Sequence, residues 1–347
     1  MPAAMRATGP RWRASRRTNV ALAGLLAVAF GTGWLGYGVG AAPWSQLVAV
    51  VHALAGLGLL VLAPWKALIV TRAWRRRSGT LAGAALALLV VTSVVAGVVH
   101  SAAGWAATGG LALQIHVGAA VIAVLFVLIH IGRHPQRPRR VDVSRRNAVR
   151  LLGVASGAAL GYAATHGIAS VLALPGGHGR ATGSTEVGTG DPRAMPVTQW
   201  FVDTVPRVDP HEWRLDVRWP GGSRSLSYGD LVSLADEETD AVLDCTGGWF
   251  AAQRWRGVRL DRLLPPGAGG RSVVVESATG YARRLPLAEA RALLLATHAG
   301  GAPLSAGHGA PARLVAPGRR GFWWVKWVAR IEIIDAPWWR QPPFPLQ

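Results

Sequence analysis

Residues 116–130 read HVGAAVIAVLFVLIH, an apolar run with a histidine at each end and no Asp, Glu, Lys or Arg. It lies within one of five apolar stretches in the first half of the chain, at about 19–38, 46–70, 79–100, 110–132 and 148–173. A helix of about 20 residues, rising about 1.5 Å per residue, crosses a hydrocarbon core of about 30 Å. The pattern therefore predicts an all-α bundle of five transmembrane helices over residues 1–173.

The charge of the chain is distributed unevenly around these stretches. The net charge is +19 and only 16% of residues are charged, but residues 1–172 hold 17 of the 37 basic residues and one of the 18 acidic residues. The remaining residues, 173–347, have 20 basic and 17 acidic side chains, which is typical of a globular domain. Because the excess arginines lie in short loops between apolar stretches, they indicate membrane orientation and argue against a nucleic-acid partner.

Three loops carry the arginines, and they alternate with connectors near 39–45 and 101–109 that contain neither Lys nor Arg. Loops rich in Lys and Arg remain in the cytoplasm. We therefore expect a multi-pass plasma-membrane protein with a cytoplasmic N-terminus and with all residues after the fifth span on the outer face. The arginines are Arg6, Arg11, Arg13, Arg16 and Arg17 before the first span, Arg72, Arg75, Arg76 and Arg77 after the second, and Arg133, Arg137, Arg139, Arg140, Arg145, Arg146 and Arg150 after the fourth.

Two histidines lie at matching depths, about 10 Å from the outer ends of the second and fourth spans. The run HALAGLGLLVLAPWK from His52 is a weak repeat of the run from His116. Two imidazoles at one depth on different helices predict the axial ligands of one haem b, and interhelical hydrogen bonds are the alternative. His130 suits a second haem, but Lys66 occupies the matching position, so we expect one. His100 and His166 are further candidate ligands.

The four-helix unit with paired histidines resembles the bacterial membrane cytochromes related to cytochrome b561. A haem in this bundle would pass electrons between the outer half of the chain and the quinone pool or another donor, so we expect a quinol or another membrane electron donor as a partner.

The segment between the membrane half and the rest of the chain has two features. Ser144-Arg145-Arg146-Asn147-Ala148 resembles a twin-arginine export signal, although a plain positive-inside flank is an equal alternative. Residues 174–198 are rich in Gly, Pro, Ser and Thr, which predicts a flexible linker.

The remaining residues, 199–347, alternate short β-like runs with turns. Trp213–Trp219, Arg271–Ser277 and Val328–Ile334 predict strands, and Leu287–Thr297 predicts a helical piece. The mixture indicates an α+β domain of about 150 residues.

Several motifs in this domain occur together. They are LDCTGGW at 243–249, WRGVRLDRLL at 255–264, TGYARRLPL at 279–287, HGAPARLVAPG at 308–318 and Val325-Lys326-Trp327. In this order and spacing, residues of about 199–335 resemble the sulfite-oxidase fold family of molybdopterin-dependent enzymes.

The resemblance implies the residues of the site. Cys245, the only cysteine of the chain, would be the thiolate ligand of molybdenum. Ser277, His308, Arg313 and the segment Trp324-Val325-Lys326 would bind the pterin phosphate, and Tyr281 would hydrogen-bond an active-site oxygen or the substrate. For Ser277, His308 and Tyr281 a structural role is the alternative.

This sequence departs from sulfite oxidases after the cysteine, where Gly248-Trp249-Phe250 replaces arginines that help to bind sulfite. Asp203-Thr204 likewise replaces the Arg-Asn pair common near the start of the domain. Arg254, Arg283 and Arg284 are candidates to restore the positive charge.

The combination resembles a fusion of the two components of the periplasmic methionine sulfoxide reductase system. It implies reduction of a small-molecule or protein-bound S-oxide or similar oxide. Oxidation of a sulfur compound is one alternative, and a non-catalytic binding domain displayed on the membrane is another.

Overall fold

The computed structural model describes residues 16–38, 44–75, 81–133, 135, 139, 144–199 and 203–342. The chain divides into two compact units. Met1–Trp34, Leu47–Ala102 and Leu111–Gly177 form the helical unit, and Leu35–Gln46, Ala103–Gly110 and His178–Gln347 form the sheet unit. Among the arginines used for the topology prediction, Arg6, Arg11, Arg13, Arg76, Arg77, Arg137 and Arg140 lie outside the described residues.

The described residues include five long apolar helices, as the sequence predicts. They are α1 (Arg16–Gly38), α2 (Ser45–Arg75), α3 (Leu81–Thr108), α4 (Leu111–Arg133) and α5 (Arg145–Val171). All five are long and apolar enough to cross a membrane. Helices α2 and α3 run several residues beyond the predicted apolar stretches, and α3 has a break in helical geometry at Gly104.

Large apolar side chains are exposed on the helices, as expected for surfaces that face lipid. Leu88, Leu128 and Leu160 are examples, each at least 65% exposed. The buried positions of these helices are mostly small residues, including Ala55, Ala119, Ala123 and Ala158. Small residues allow helix backbones to approach closely in a membrane, where van der Waals packing replaces the hydrophobic effect between helices.

The sheet unit contains eleven described strands in two mixed sheets. The first sheet contains β1 (Thr185–Glu186), β4 (Glu237–Asp244), β5 (Trp249–Arg259), β8 (Leu294–Ala299), β9 (Ala302–Pro303) and β10 (Arg313–Val315). The second has the order β3 (Gly222–Ser227), β2 (Arg214–Trp219), β11 (Val328–Ile334), β6 (Ser272–Ser277) and β7 (Ala282–Pro286). Two short helices, α6 (Tyr228–Ser233) and α7 (Leu260–Leu263), complete an α+β fold.

One buried core unites the two sheets of this unit. Its largest members include Trp249 and Trp255 on β5, together with Leu295 on β8 and Ile331 on β11. Strand β5 is the centre of the first sheet, because it pairs with β1, β4 and β8. The turn between β4 and β5 contains Cys245, so the sheet core holds both sides of that turn.

The predicted helical piece at Leu287–Thr297 is wrong beyond its first turns. A short 3₁₀ helix covers Leu287–Ala292, and β8 begins at Leu294. All six residues of β8 are buried between neighbouring strands. Burial in the sheet therefore overrides the weak helical preference of this Leu- and Ala-rich run.

The segment at 174–198 is more ordered than its composition predicts. Pro175–His178 forms a 3₁₀ helix, and β1 pairs in parallel with the start of β5. Ser184, Thr185 and Met195 are buried. Because these side chains and the β1 backbone find partners within the sheet unit, residues from His178 onward belong to that unit rather than to a free linker.

Candidate functional site

Cys245 lies in a tight turn directly after β4. Its backbone N–H donates to the Trp249 carbonyl at 2.9 Å, and its own carbonyl accepts from the Gly248 N–H at 3.1 Å. The half-buried sulfur accepts from the Gly247 N–H at 3.3 Å and lies 3.3 Å from Thr198 Oγ1. Donors directed at sulfur stabilise a thiolate, which is the form that binds a metal.

A buried polar network supports this turn, centred on the carboxylate of Asp244. Asp244 and Arg320 are both buried, and they form an ion pair. The guanidinium of Arg320 also lies 3.4 Å from the Cys245 carbonyl oxygen. The other donors to the carboxylate are Arg180 at 3.0 Å, Thr182 at 2.9 Å and Ser184 at 2.7 Å. Asp244 belongs to the motif at 243–249, but the sequence assigned a role to none of these five residues, because the other four are dispersed along the chain.

Arg313 lies in the interior of the same unit with only 3% of its surface exposed. Its guanidinium carbon is 5.6 Å from the ring centre of Trp255 and 5.8 Å from that of Trp324. One terminal nitrogen donates to the His308 carbonyl at 3.1 Å, while its Nε is buried without a hydrogen-bond partner. Burial lowers the pKa of Arg313 to about 10, so the side chain is still charged at neutral pH.

Lys326 brings a second cation close to Arg313. Its ammonium donates to the carbonyls of Thr198 at 2.8 Å and Gly307 at 2.7 Å. Burial, with the charge of Arg313 as a smaller cause, lowers the pKa of Lys326 to about 7. Within the described ranges no carboxylate lies within ion-pair distance of either cation.

His308 is buried beside these cations. Its Nε2 is 3.1 Å from the Met195 carbonyl, so this nitrogen carries the proton and Nδ1 accepts from the Ser305 hydroxyl at 2.8 Å. Burial and the charge of Arg313 lower the pKa of His308, which keeps the imidazole neutral at pH 7. Its carbonyl, rather than its ring, contacts Arg313.

This cluster suits an anionic ligand. Two largely buried cations contact carbonyl oxygens and aromatic rings, and one guanidinium nitrogen is left unpaired. Uncompensated buried cations are costly, and a phosphate group would supply the missing charge and acceptors. The sulfur of Cys245 is of the soft kind that suits a high-valent metal. The residues present therefore fit a pterin phosphate and its metal.

Trp324 and Val325, which the resemblance also assigns to cofactor binding, are both buried. The indole N–H of Trp324 donates to the Arg319 carbonyl at 3.1 Å. The carbonyl of Val325 accepts from the Leu314 N–H at 2.8 Å, which ties this segment to β10. The contacts position Arg313 and Lys326 on adjoining backbone segments.

The structure gives Ser277 and Tyr281 local partners. The Ser277 hydroxyl accepts from the Thr279 N–H at 3.1 Å in the turn after β6. The Tyr281 hydroxyl donates to the Phe322 carbonyl, and burial raises the pKa of this phenol above its usual value. These contacts match the structural alternative, and the cofactor and substrate roles of the two residues remain predictions.

The three arginines that were candidates to restore positive charge have other partners. Arg254 is exposed and pairs with Asp240 at 3.3 Å. Arg283 is buried against the rings of Trp323 and Phe322, at 4.3 Å and 5.3 Å from the ring centres. Arg284 donates to backbone carbonyls of the C-terminal segment, including that of Arg340 at 2.7 Å.

In the helical unit, the predicted pair of His52 and His116 is brought together. Their ring centres are 5.7 Å apart and the rings are perpendicular. Each Nδ1 lies close to a backbone carbonyl 23 residues earlier in the chain, that of Ala29 at 2.8 Å and that of Ser93 at 2.7 Å. Because a carbonyl oxygen only accepts, each Nδ1 carries a proton, which leaves Nε2 as the ring nitrogen that can bind a metal.

This arrangement is the one that histidine ligands of metals adopt, with the far ring nitrogen held by a carbonyl. Since a metal–imidazole bond is about 2.0–2.1 Å long, two imidazoles that share one metal ion have ring centres within roughly 6 Å of each other. The spacing of the two imidazoles therefore fits one metal ion between them.

Glycines face both imidazoles. A Cβ added at Gly33 would lie 2.9 Å from Cε1 of His52, and one added at Gly97 would lie 2.8 Å from Nδ1 of His116. Each glycine lies four residues after the residue whose carbonyl binds the ring, so the weak sequence repeat is also a repeat of structure.

The other histidines and the lysine of the spans have different surroundings. His166 packs on Tyr162 with ring centres 4.4 Å apart, and His100 is buried on α3. Lys66 donates to Asn19 at 3.1 Å. Within the described residues, no group of three or more His, Cys, Asp or Glu side chains forms a metal site.

Comparison with known proteins identifies the class of the sheet unit. Residues 202–341 match the family model of the oxidoreductase molybdopterin-binding domain. The mitochondrial sulfite oxidase of Mus musculus is 34% identical over 166 residues, covering 37% of this chain and 30% of that protein. The sulfite oxidase of Gallus gallus is 32% identical over 166 residues, covering 37% and 36%.

A solved structure is also similar, that of the sulfane dehydrogenase SoxCD from Paracoccus pantotrophus. It has 28% identity and a TM-score of 0.36, and the match covers 38% of this chain and 40% of that one. The chain spans 30–36% of the length of the two sulfite oxidases above. Its C-terminal region is a molybdopterin-binding oxidoreductase domain. More particularly, that domain is of the sulfite-oxidase type.

Proposed function

We propose that this protein is a membrane-anchored molybdenum oxidoreductase that reduces an S-oxide or a similar oxide on the outer face of the plasma membrane. A molybdenum–molybdopterin group would supply oxygen-atom transfer with a two-electron change. In the overall reaction the S–O bond of the substrate breaks, and its oxygen leaves as water after the uptake of two electrons and two protons.

In this proposal Cys245 binds the metal through its thiolate, with the Gly247 N–H directed at the sulfur. Arg313 and Lys326 bind the pterin phosphate, Arg313 through its planar guanidinium and Lys326 as a point charge. Trp324 and Val325 support these cations, and His308 holds Arg313 through its carbonyl. Ser277 and Tyr281 would reach the cofactor or the substrate only if they gave up their present local partners.

We choose an oxide rather than sulfite as the substrate class because of the partners of the arginines. A small dianion such as sulfite requires free cations, but Arg254, Arg283 and Arg284 have other partners. Arg320 is committed to Asp244. A neutral S-oxide requires no such cation, which favours it as the substrate class. Oxidation of a sulfur compound is the second candidate, and the names of the sulfite oxidase relatives favour it.

For the electron supply we propose one haem b between His52 and His116, reduced by a quinol or another membrane donor. The Nδ1–carbonyl bonds and the 5.7 Å spacing of the rings support this site. The resemblance of the four-helix unit with its paired histidines to cytochrome b561 agrees with this proposal. A one-electron haem would pass the two electrons in two steps.

The proposed orientation rests on the alternation of arginine-rich loops with loops that contain neither Lys nor Arg. Export of the sheet unit through the twin-arginine-like segment remains a separate prediction. Replacing Arg145 and Arg146 by Lys preserves the positive charge that orients the membrane helices. Reduced export of that variant would support a twin-arginine signal, and normal export would contradict it.

The test uses the purified full-length protein. We expect about one molybdenum per chain, a haem spectrum, and reoxidation of the dithionite-reduced haem when methionine sulfoxide or dimethyl sulfoxide is added without oxygen. The variant Cys245→Ser should keep the haem spectrum and lose the reoxidation. Sulfite that reduces the oxidised haem, with no response to S-oxides, would favour the second candidate. A functional protein without molybdenum would refute both and leave the non-catalytic binding domain.

A further inference from the structure

Residues 180–198 lie ahead of the part of the chain that matches the family model, which begins at residue 202. Nevertheless, β1 in this segment pairs with the residues that follow Cys245. The Thr185 N–H donates to the Gly248 carbonyl at 3.1 Å, and the Val187 N–H donates to the Phe250 carbonyl at 2.9 Å. The segment is thus bound by backbone hydrogen bonds to the turn that presents the sulfur.

Side chains at the start of the segment bind the residue before Cys245. Arg180, Thr182 and Ser184 all donate to the carboxylate of Asp244, and Ser184 is fully buried. A guanidinium and two hydroxyls therefore fix the backbone immediately upstream of the cysteine. This arrangement leaves little freedom to the Cα of Cys245.

The end of the segment contacts the sulfur itself. Thr198 Oγ1 lies 3.3 Å from Cys245 Sγ, and the Thr198 carbonyl accepts from Lys326 at 2.8 Å. A thiolate has no proton to donate, so with Cys245 in that form the threonine hydroxyl is the donor. Lys326 holds the threonine backbone in place, which ties the sulfur contact to the cation cluster.

We propose that residues 180–198 are an integral part of the molybdenum site and that Thr198 is a positioning residue for the Cys245 sulfur. This inference rests on the proposed function. Hydrogen bonds to a ligand sulfur withdraw electron density from it, and such outer partners tune the reduction potential of a metal centre. Removing the hydroxyl should therefore make the sulfur a stronger donor and lower the midpoint potential of the metal.

The test compares Thr198→Val, which keeps the shape and removes the hydroxyl, with Thr198→Ser, which keeps the hydroxyl. Each variant is purified as the full-length, molybdenum-loaded protein. Metal content is measured, and the paramagnetic resonance signal of the one-electron-reduced metal is titrated against potential. We expect Thr198→Val to retain molybdenum, with altered g-values and a midpoint shifted to lower potential, and Thr198→Ser to match the wild type.

Two further variants serve as controls for the effect of Thr198→Val. Thr198→Ala removes the hydroxyl without adding bulk and should shift the signal in the same direction as Thr198→Val. Ser233→Ala removes an exposed hydroxyl at the end of α6 and should leave the signal unchanged. Identical g-values and midpoints in Thr198→Val, Thr198→Ala and the wild type would overturn the inference. If the wild type contained molybdenum, this outcome would overturn only the role of Thr198 and leave the proposed function intact. A wild type without molybdenum would instead contradict the proposed function.

Discussion

The carboxylate of Asp244 should be a principal source of stability for the turn that carries Cys245. It is 4% exposed and forms a buried ion pair with Arg320. Its other donors are Arg180, Thr182 and Ser184. In Asp244→Asn the volume is unchanged, but one oxygen becomes an NH₂ group that faces donors, and the buried charge of Arg320 loses its partner.

The size of the effect follows from burial. Breaking a buried ion pair by neutralising one partner costs about 3–5 kcal/mol, because the remaining charge is left uncompensated in the interior. In a domain of this size each kcal/mol lowers the midpoint of thermal unfolding by roughly 2–4 °C, so we expect a decrease of about 6–20 °C. Calorimetry of the full-length protein, followed together with the release of molybdenum, measures the transition of the sheet unit.

Asp240→Asn is the matched control on the same strand. Asp240 pairs with Arg254 at 3.3 Å, but the side chains are 76% and 63% exposed. An exposed pair contributes about 0–1 kcal/mol, so this variant should unfold within a few degrees of the wild type. If Asp244→Asn unfolded at as high a temperature as Asp240→Asn, the network around Asp244 would not be a source of stability, and the reasoning would be refuted.

Three further predictions concern the cofactor sites. Because burial lowers the pKa of Lys326 to about 7, its ammonium loses its proton as the pH rises through 7. The cofactor-free protein should therefore bind a phosphate-bearing pterin more weakly above pH 7, by up to about tenfold per pH unit. Lys326→Arg should abolish this dependence, and an unchanged slope would contradict it. Arg313→Met should weaken pterin retention by about 10–150-fold, the value of a charge-assisted hydrogen bond, and retention equal to the wild type after dilution would contradict its role. Gly33→Ala and Gly97→Ala should each reduce haem affinity by about 10–100-fold, because the added methyl displaces the facing imidazole. The control Gly118→Ala has no heavy atom within 4 Å of its added Cβ and should show the wild-type haem spectrum. Equal haem spectra for all three variants would argue against the haem site.

Much of the helical unit was predictable from the sequence. The signal is local: twenty apolar residues without a carboxylate form a helix in a membrane whatever lies elsewhere in the chain. The equal depth of His52 and His116 was predictable for the same reason, since depth follows from the rise per residue. The carbonyls of Ala29 and Ser93 were not, because they lie on other helices.

In the sheet unit, the success of the secondary-structure prediction depended on the residue types in each strand. The strand at Val328–Ile334 was predictable, whereas β8 was predicted as helix because Leu and Ala do not identify a strand that is buried on both faces. The motif around Cys245 predicted this residue as the candidate metal ligand, and that role remains a prediction. The pairing of Arg283 with Trp323 and of Arg320 with Asp244 was not predictable, because the sequence does not show which side chains will lie next to an arginine in the folded protein.

The amino-acid sequence alone predicted five apolar helices, the class of the C-terminal domain and, through the family resemblance, Cys245 as the candidate metal ligand. These predictions follow from hydrophobic length and from short motifs in a fixed order along the chain, which need no knowledge of distant contacts. Only the tertiary structure decided that residues 180–198 hold the cysteine turn and which arginines are already paired. Such contacts join residues that are far apart in the chain, 60 positions for Ser184 and Asp244 and 76 positions for Arg320 and Asp244. Burial makes them strong only once the chain has folded.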